Sequence, residues 1–168
     1  MAIEWEPTYW DEFRAYIRAK DALGLPICTL GLLKRKGEIP EDLKRVTLES
    51  LKSAREELEP NQRFRTYLSG LLSKIFSSRV VEKEFIPNID VAIRILEGEK
   101  PLTENLYEDL TRFFLTAFNK LVEECRPLEE KALGRARSPI TYYLQGEVNL
   151  ERAPTPSATY VRMREMEF

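Results

Sequence analysis

The side chains best able to do chemistry in this chain are its carboxylates. Asp and Glu number 28, Lys and Arg 26, and histidine is absent. The acids recur as pairs: Asp11-Glu12, Glu41-Asp42, Glu56-Glu57, Glu123-Glu124 and Glu129-Glu130. Paired carboxylates hold a divalent cation, or divide acid and base roles, only when their side chains converge. Neighbours on a helix face different ways, so these pairs do not converge by themselves. Glu104 and Glu108 share a helical face, as do Asp109 and Arg112, which is the spacing of surface ion pairs. A bundle carboxylate site needs E-x-x-H, or an acidic equivalent, on several helices. Without histidine, imidazole bases, Ser-His and Cys-His triads and the common zinc ligand sets are excluded. Phosphate-binding glycine loops, dinucleotide fingerprints and EF-hand loops are also absent from the sequence. No catalytic, metal or cofactor-binding residue is assigned and no cofactor or small-molecule substrate is expected. An enzyme working through carboxylates alone is the weakest of three functional readings.

Two cysteines, Cys28 and Cys125, stand alone in apolar helical patterns. They read as buried thiols in a reducing compartment. No signal-peptide pattern opens the chain and no apolar run approaches a membrane span, so an intracellular protein, cytoplasmic or nucleoid-associated, is expected. A length of 168 residues fits one domain, and 43% apolar with 32% charged residues fits a folded one. The charge is dense yet balanced, with a net value of -2. That balance suits a thermophilic protein and removes a global electrostatic case for nucleic-acid binding.

The elements follow from periodicity. The longest periodic stretch runs from Thr103 to Cys125, with Leu106, Leu110, Phe113, Phe114, Ala117, Leu121 and Cys125 on one face. Thr103 is its expected N-cap, Pro127 its stop, and it reads as the central helix. A first helix opens at Pro7 and ends at Gly24 and Pro26; a short one covers Pro26 to Lys36. Pro40 opens another, with Glu41 and Asp42 in its first turn. Asn61 caps a helix over Phe64 to Phe76, the expected mate of the central helix. Asn88 caps a short helix after Pro87, punctuated by Gly98. The expectation is an all-α fold: an irregular helical bundle of about six to seven helices over 1–147, with a short C-terminal docking tail or small appendage over 148–168.

Two groups of residues could meet partners. Trp5, Tyr9 and Trp10 crowd the start, Phe118 lies beside the main stripe of its helix, and Tyr160, Met163, Met166 and Phe168 give the tail apolar mass. Aromatic residues of this kind are enriched at interfaces, so other protein subunits, in a homo- or hetero-oligomer, are the expected partners. Lys34, Arg35, Lys36, Lys44, Arg45, Arg135 and Arg137 would have to converge to form a nucleic-acid patch. That second reading is a small helical subunit of a ribonucleoprotein or DNA-processing complex.

The stretch from Leu25 to Glu59, followed by RFRTYLSGLLSKIF, resembles the GINS family of replication proteins. Pro26, Leu32, Leu33, Lys34, Arg35, Ile39, Pro40 and Leu51 sit in matching places, as do Tyr67, Leu71 and Leu72 in the aromatic-rich helix. LTENLYEDLTRFF looks like the last core helix of the GINS helical domain, so the resemblance spans Gly24 to Glu124. It implies a non-enzymatic scaffold subunit that assembles with related subunits and couples the replicative helicase to other replication proteins. It also implies a small β domain at one end.

Overall fold

In the computed structural model of this chain the described residues are 9–60 and 66–136, and every regular element among them is helical. In order they are α1 (Tyr9–Lys36), α2 (Glu41–Glu57), α3 (Tyr67–Phe76), the single turn α4 (Ser78–Val80), a π segment (Val81–Phe85), α5 (Ile86–Leu96), α6 (Glu104–Glu124) and α7 (Arg126–Ala136). The expected irregular all-α bundle is the observed architecture. The tail over 148–168 and the Asn61 cap lie outside the described residues.

The centre of the bundle is α1, which corrects the expectation that the Thr103–Cys125 helix is central. Helix α1 packs against α2, α3, α6 and α7. Its 28 residues run straight through Gly24 and Pro26, where the sequence predicts a stop and a restart. A proline inside a helix forfeits one backbone hydrogen bond and costs about 3 kcal/mol. Burial outweighs it: Ala22, Leu23, Gly24, Leu25 and Pro26 are all buried, and Leu25 and Leu30 are wholly enclosed. Full burial of a leucine contributes about 1.5–3 kcal/mol, so two of them offset the proline. Packing here overrides propensity.

Helix α2 lies on α1 through Leu43, Thr47, Leu51 and Ala54. Thr29 and Thr47 meet there as a wholly buried pair, their hydroxyls 2.8 Å apart. Each also reaches its own backbone, Thr29 to the Leu25 carbonyl and Thr47 to the Leu43 carbonyl, both at 2.7 Å. Two hydroxyls carry two protons for three contacts, so one threonine donates to its carbonyl and the other donates to it. Arg18 clamps the outside of the same seam on Glu57 (2.6–2.8 Å) and Ser53 (2.9 Å).

Helix α6 keeps its expected cap, with Thr103 Oγ1 accepting from Leu106 N at 3.2 Å. Leu110, Phe114, Ala117 and Leu121 are buried as the core stripe. The main mate of α6 is α1, not the helix ending at Phe76. The two run antiparallel. Lys34 pairs with Glu104 at one end, while Tyr16 meets Glu129, just beyond α6, at the other.

The run from Ser78 to Leu96 is continuous where the sequence suggests a break at Pro87. Ser77, at φ 79°, turns the chain after α3, and its Oγ accepts from Val80 N. The backbone then widens into a π turn, with Ile86 N donating to the Val81 carbonyl five residues back. Pro87 has no N–H to give, and the shift by one residue places it in the first turn of α5, where none is needed. Asn88 does not cap; its Nδ2 donates to the Glu84 carbonyl at 2.7 Å, inside the continuous helical run. Helix α5 ends as expected at Gly98 (φ 81°): Glu99 N donates to Arg94 O at 2.9 Å and Gly98 N to Ile95 O at 3.1 Å. That pair of bonds is a Schellman close.

A candidate protein-docking groove

The π turn forms one wall of an open, largely apolar groove. An aromatic chain crosses the molecule from Phe76 to Phe85 (centroids 4.8 Å apart), on to Phe113 (5.0 Å) and then Phe114 (5.1 Å). Phe85 and Phe114 are enclosed, whereas Phe76 and Phe113 are half-buried. Their outer faces, with Val80, Ala117 and Thr116, line an open groove of about 570 Å³ between the Ser78–Leu96 run and α6. That size lies within the ordinary range for binding clefts. π turns occur frequently at functional sites, because they displace side chains from the regular helical register.

The rim is charged in a definite order. Glu84, Asn88, Asp109 and Arg112 stand at one end; Lys120 stands at the other, with Nζ 5.4 Å from the Phe76 ring centre. Arg112 is held by Asp109 at 3.8 Å. Glu84 and Lys120 have no ion-pair partner among the described residues. Sequence patterns place Phe76 and Phe113 on apolar faces but not Glu84, Thr116 or Lys120 beside them. The available signal is Pro87 inside an otherwise helical pattern, which marks a register shift just ahead of it.

The residues predicted as a partner interface fall in several places. Trp10 is 40% exposed on the first turn of α1, with its ring edge-on to Phe13 at 6.2 Å. Tyr9 begins α1; Trp5, Tyr160, Met163, Met166 and Phe168 lie outside the described residues. Phe118 is half-buried and packs on the core. At 100° per residue it falls on the flank of α6 opposite the groove, in line with Leu115 (42% exposed) and Val122. Helix α6 therefore carries a buried stripe with apolar residues on both shoulders.

Of the predicted basic patch, Lys34 and Arg45 are paired with acids. Lys34, Arg35 and Lys36 end α1, and Lys44 and Arg45 begin α2 across the turn at Gly37, so these five share one corner. Acids are set among them. Lys34 pairs with Glu104 and lies over the Tyr107 ring at 4.5 Å, while Arg45 lies between Asp42 (3.6 Å) and Glu49 (3.7 Å). Arg35 Nε donates to the Gly31 carbonyl at 3.3 Å. Arg135 belongs to α7, which is anchored through Glu129 at Tyr16 and Lys20. That anchor is 14 residues of α1, about 21 Å, from Lys34. Arg137 lies outside the described residues.

One buried polar cluster is not foreseen from the sequence. Tyr16 Oη donates to Glu129 Oε2 at 2.9 Å, and Lys20 Nζ lies 3.9 Å from Glu129 Oε1 and 5.4 Å from the Tyr16 ring centre. Burial pushes the Tyr16 hydroxyl well above its ordinary range, with Glu129 adding to the effect. Burial also lowers Lys20, against the pull of Glu129 and Asp21. The free Cys125 thiol nearby is pushed up to about 12, by burial first and then by Glu129, Glu124 and Glu12. A thiol so raised is neutral and a poor nucleophile. The cluster secures the α1–α7 contact and opens onto no groove described above.

No group of three or more acids or cysteines among the described residues could hold a metal ion, and none of their helices is long and apolar enough to cross a membrane. No protein-family model, curated protein or solved structure matches this chain.

Proposed function

We propose that this chain is a non-enzymatic helical scaffold subunit of a multiprotein complex, and that the groove between the π turn and α6 docks a protein partner. The observation that carries the reading is the half-buried Phe76–Val80–Phe113 surface, aromatic and concave, which is left open in the isolated chain. Buried aromatic anchors in concave pockets supply most of the energy of protein interfaces. The more specific form, a GINS-like DNA-replication subunit associated with the replicative helicase, is supported by the sequence resemblance between Gly24 and Glu124. Helix α1 runs continuously through Pro26, where the resemblance implies a separate proline-started helix.

Co-purification from the native cell tests the reading, with native mass spectrometry of the recovered assembly. Thr116 is exposed on the groove wall, so Thr116→Arg fills the groove without touching the core. The wild-type chain is expected in a defined hetero-assembly, with helicase and replication subunits if the specific form holds. The Thr116→Arg chain should fold normally and lose at least one subunit. A monomeric wild-type mass, or identical assemblies from both chains, would overturn the docking role.

A further inference from the structure

The charge order of the groove identifies the kind of partner element it fits, granted that the groove is a docking site. We propose that it takes one amphipathic helix of a partner protein, running parallel to α6, basic at its N-terminal end and acidic at its C-terminal end.

The walls decide for a helix. Both sides of the groove are helical, so their backbone N–H and C=O groups are bonded internally. No sheet edge exists among the described residues to extend with a strand, and an extended peptide would leave its own backbone unpaired against Phe76, Val80 and Phe113. A helix brings its backbone already satisfied and presents apolar side chains at i, i+3, i+4 and i+7. From Asp109 to Lys120 the α6 wall extends 11 residues, about 16 Å, which is three helical turns.

Charge decides the direction. Glu84, Asp109 and Arg112 sum to one negative charge at one end, and Lys120 supplies a positive one at the other. Glu84 and Lys120 are exposed and have no ion-pair partner among the described residues; Lys120 only overhangs the Phe76 ring. A docked helix has its positive dipole end at its N-terminus and its negative end at its C-terminus. The favourable arrangement sets the N-terminus against Glu84 and Asp109 and the C-terminus against Lys120. Helix α6 runs in that same sense, from Asp109 to Lys120.

Two hydrocarbon-stapled peptides of about 14 residues, long enough for three turns, test this on the full chain by fluorescence anisotropy. They share one leucine face; the first has lysines at its N-terminal turn and glutamates at its C-terminal turn, and the second has these reversed. The second protein is the double variant Glu84→Lys/Lys120→Glu, altered only at exposed positions. Wild type should favour the first peptide and the variant the second, a reversal of about 10-fold or more in the ratio of the two ratios at low salt. Comparing ratios cancels any difference in helicity between the peptides. An unchanged preference in the variant, no binding of either peptide, or equal binding of an extended Val/Thr peptide bearing the first peptide's charges would overturn the proposal. If that happens while Thr116→Arg still releases a native subunit, the docking reading stands and only its helical, polar form fails.

Discussion

Lys20 is a cation at a position where a cation is costly. It is 4% exposed, with Glu129 and the Tyr16 ring among its neighbours. The titration of this cluster has a definite sign. The unfolded Cys125 thiol ionises near 9.0, the folded one near about 12, and Tyr16 moves in the same direction from 10.0. Above pH 9 the unfolded state therefore binds fewer protons at these two sites, and their contribution to stability falls as pH rises. Lys20 works the other way, because its folded form loses its proton before the unfolded form does at 10.5. Cys125 opposes it from about pH 9 and Tyr16 joins only above 10.0, so two acids stand against one base, and stability declines, above pH 10. Urea unfolding at pH 7, 9, 10 and 11 should show it. Cys125→Ala should flatten the slope by up to about 1.4 kcal/mol per pH unit, one proton's worth. An unchanged slope would mean the thiol is not shielded as described. The sequence shows Tyr16 and Cys125 as apolar-face residues and Glu129 as half of an acidic pair. Their meeting depends on α7 folding back beside α1, and no spacing within either segment encodes that return.

Helix ends were more legible than helix neighbours. Thr103, Pro40 and Gly98 act where local chemistry predicts, because a cap is decided within about five residues. Pro26 does not, because the chain around it is enclosed; Pro87 and Asn88 do not, because the π turn carries the helical run past both. The same distinction separates two glycines. Gly98 sits at φ 81°, a conformation that strains any residue with a Cβ. Gly31 lies inside α1, and a Cβ there would meet Tyr107 Oη at 3.9 Å and Arg35 Nη2 at 4.0 Å, ordinary contact distances. Gly31→Ala should stabilise the protein by about 0.5–1 kcal/mol through helix propensity, and Gly98→Ala should destabilise it by about 1 kcal/mol. Chemical denaturation of the two variants checks both signs. A loss for Gly31→Ala would show that α1 and α6 approach more closely there than the structure has them. The central place of α1 was hidden for a related reason. Its apolar residues change face along its length as it meets α2, α3, α6 and α7, so no single stripe marks it, whereas α6 shows one clean stripe.

At the scale of the whole molecule, the described bundle is tied by ion pairs between elements and opens an aromatic seam beside α6. Arg55 joins α2 to Asp90 of α5 at 2.7 Å, and Lys52 joins it to Glu97 at 2.5 Å. Along the π turn and α6 the aromatic chain surfaces instead, between acids at one end and a lysine at the other. The all-helical class was legible from periodicity. The groove was not, since it arises from two helical runs parting and from one displaced turn. The basic corner at Gly37, the competing candidate for an interaction surface, has acids interleaved with its bases. The two surfaces lie on different segments, so a footprint separates them. Hydrogen–deuterium exchange on the purified native assembly, compared with the free chain, measures it directly. Added protection is expected over residues 76–88 and 109–120, with residues 34–45 unchanged. Protection over residues 34–45 with the groove segments unchanged would contradict it.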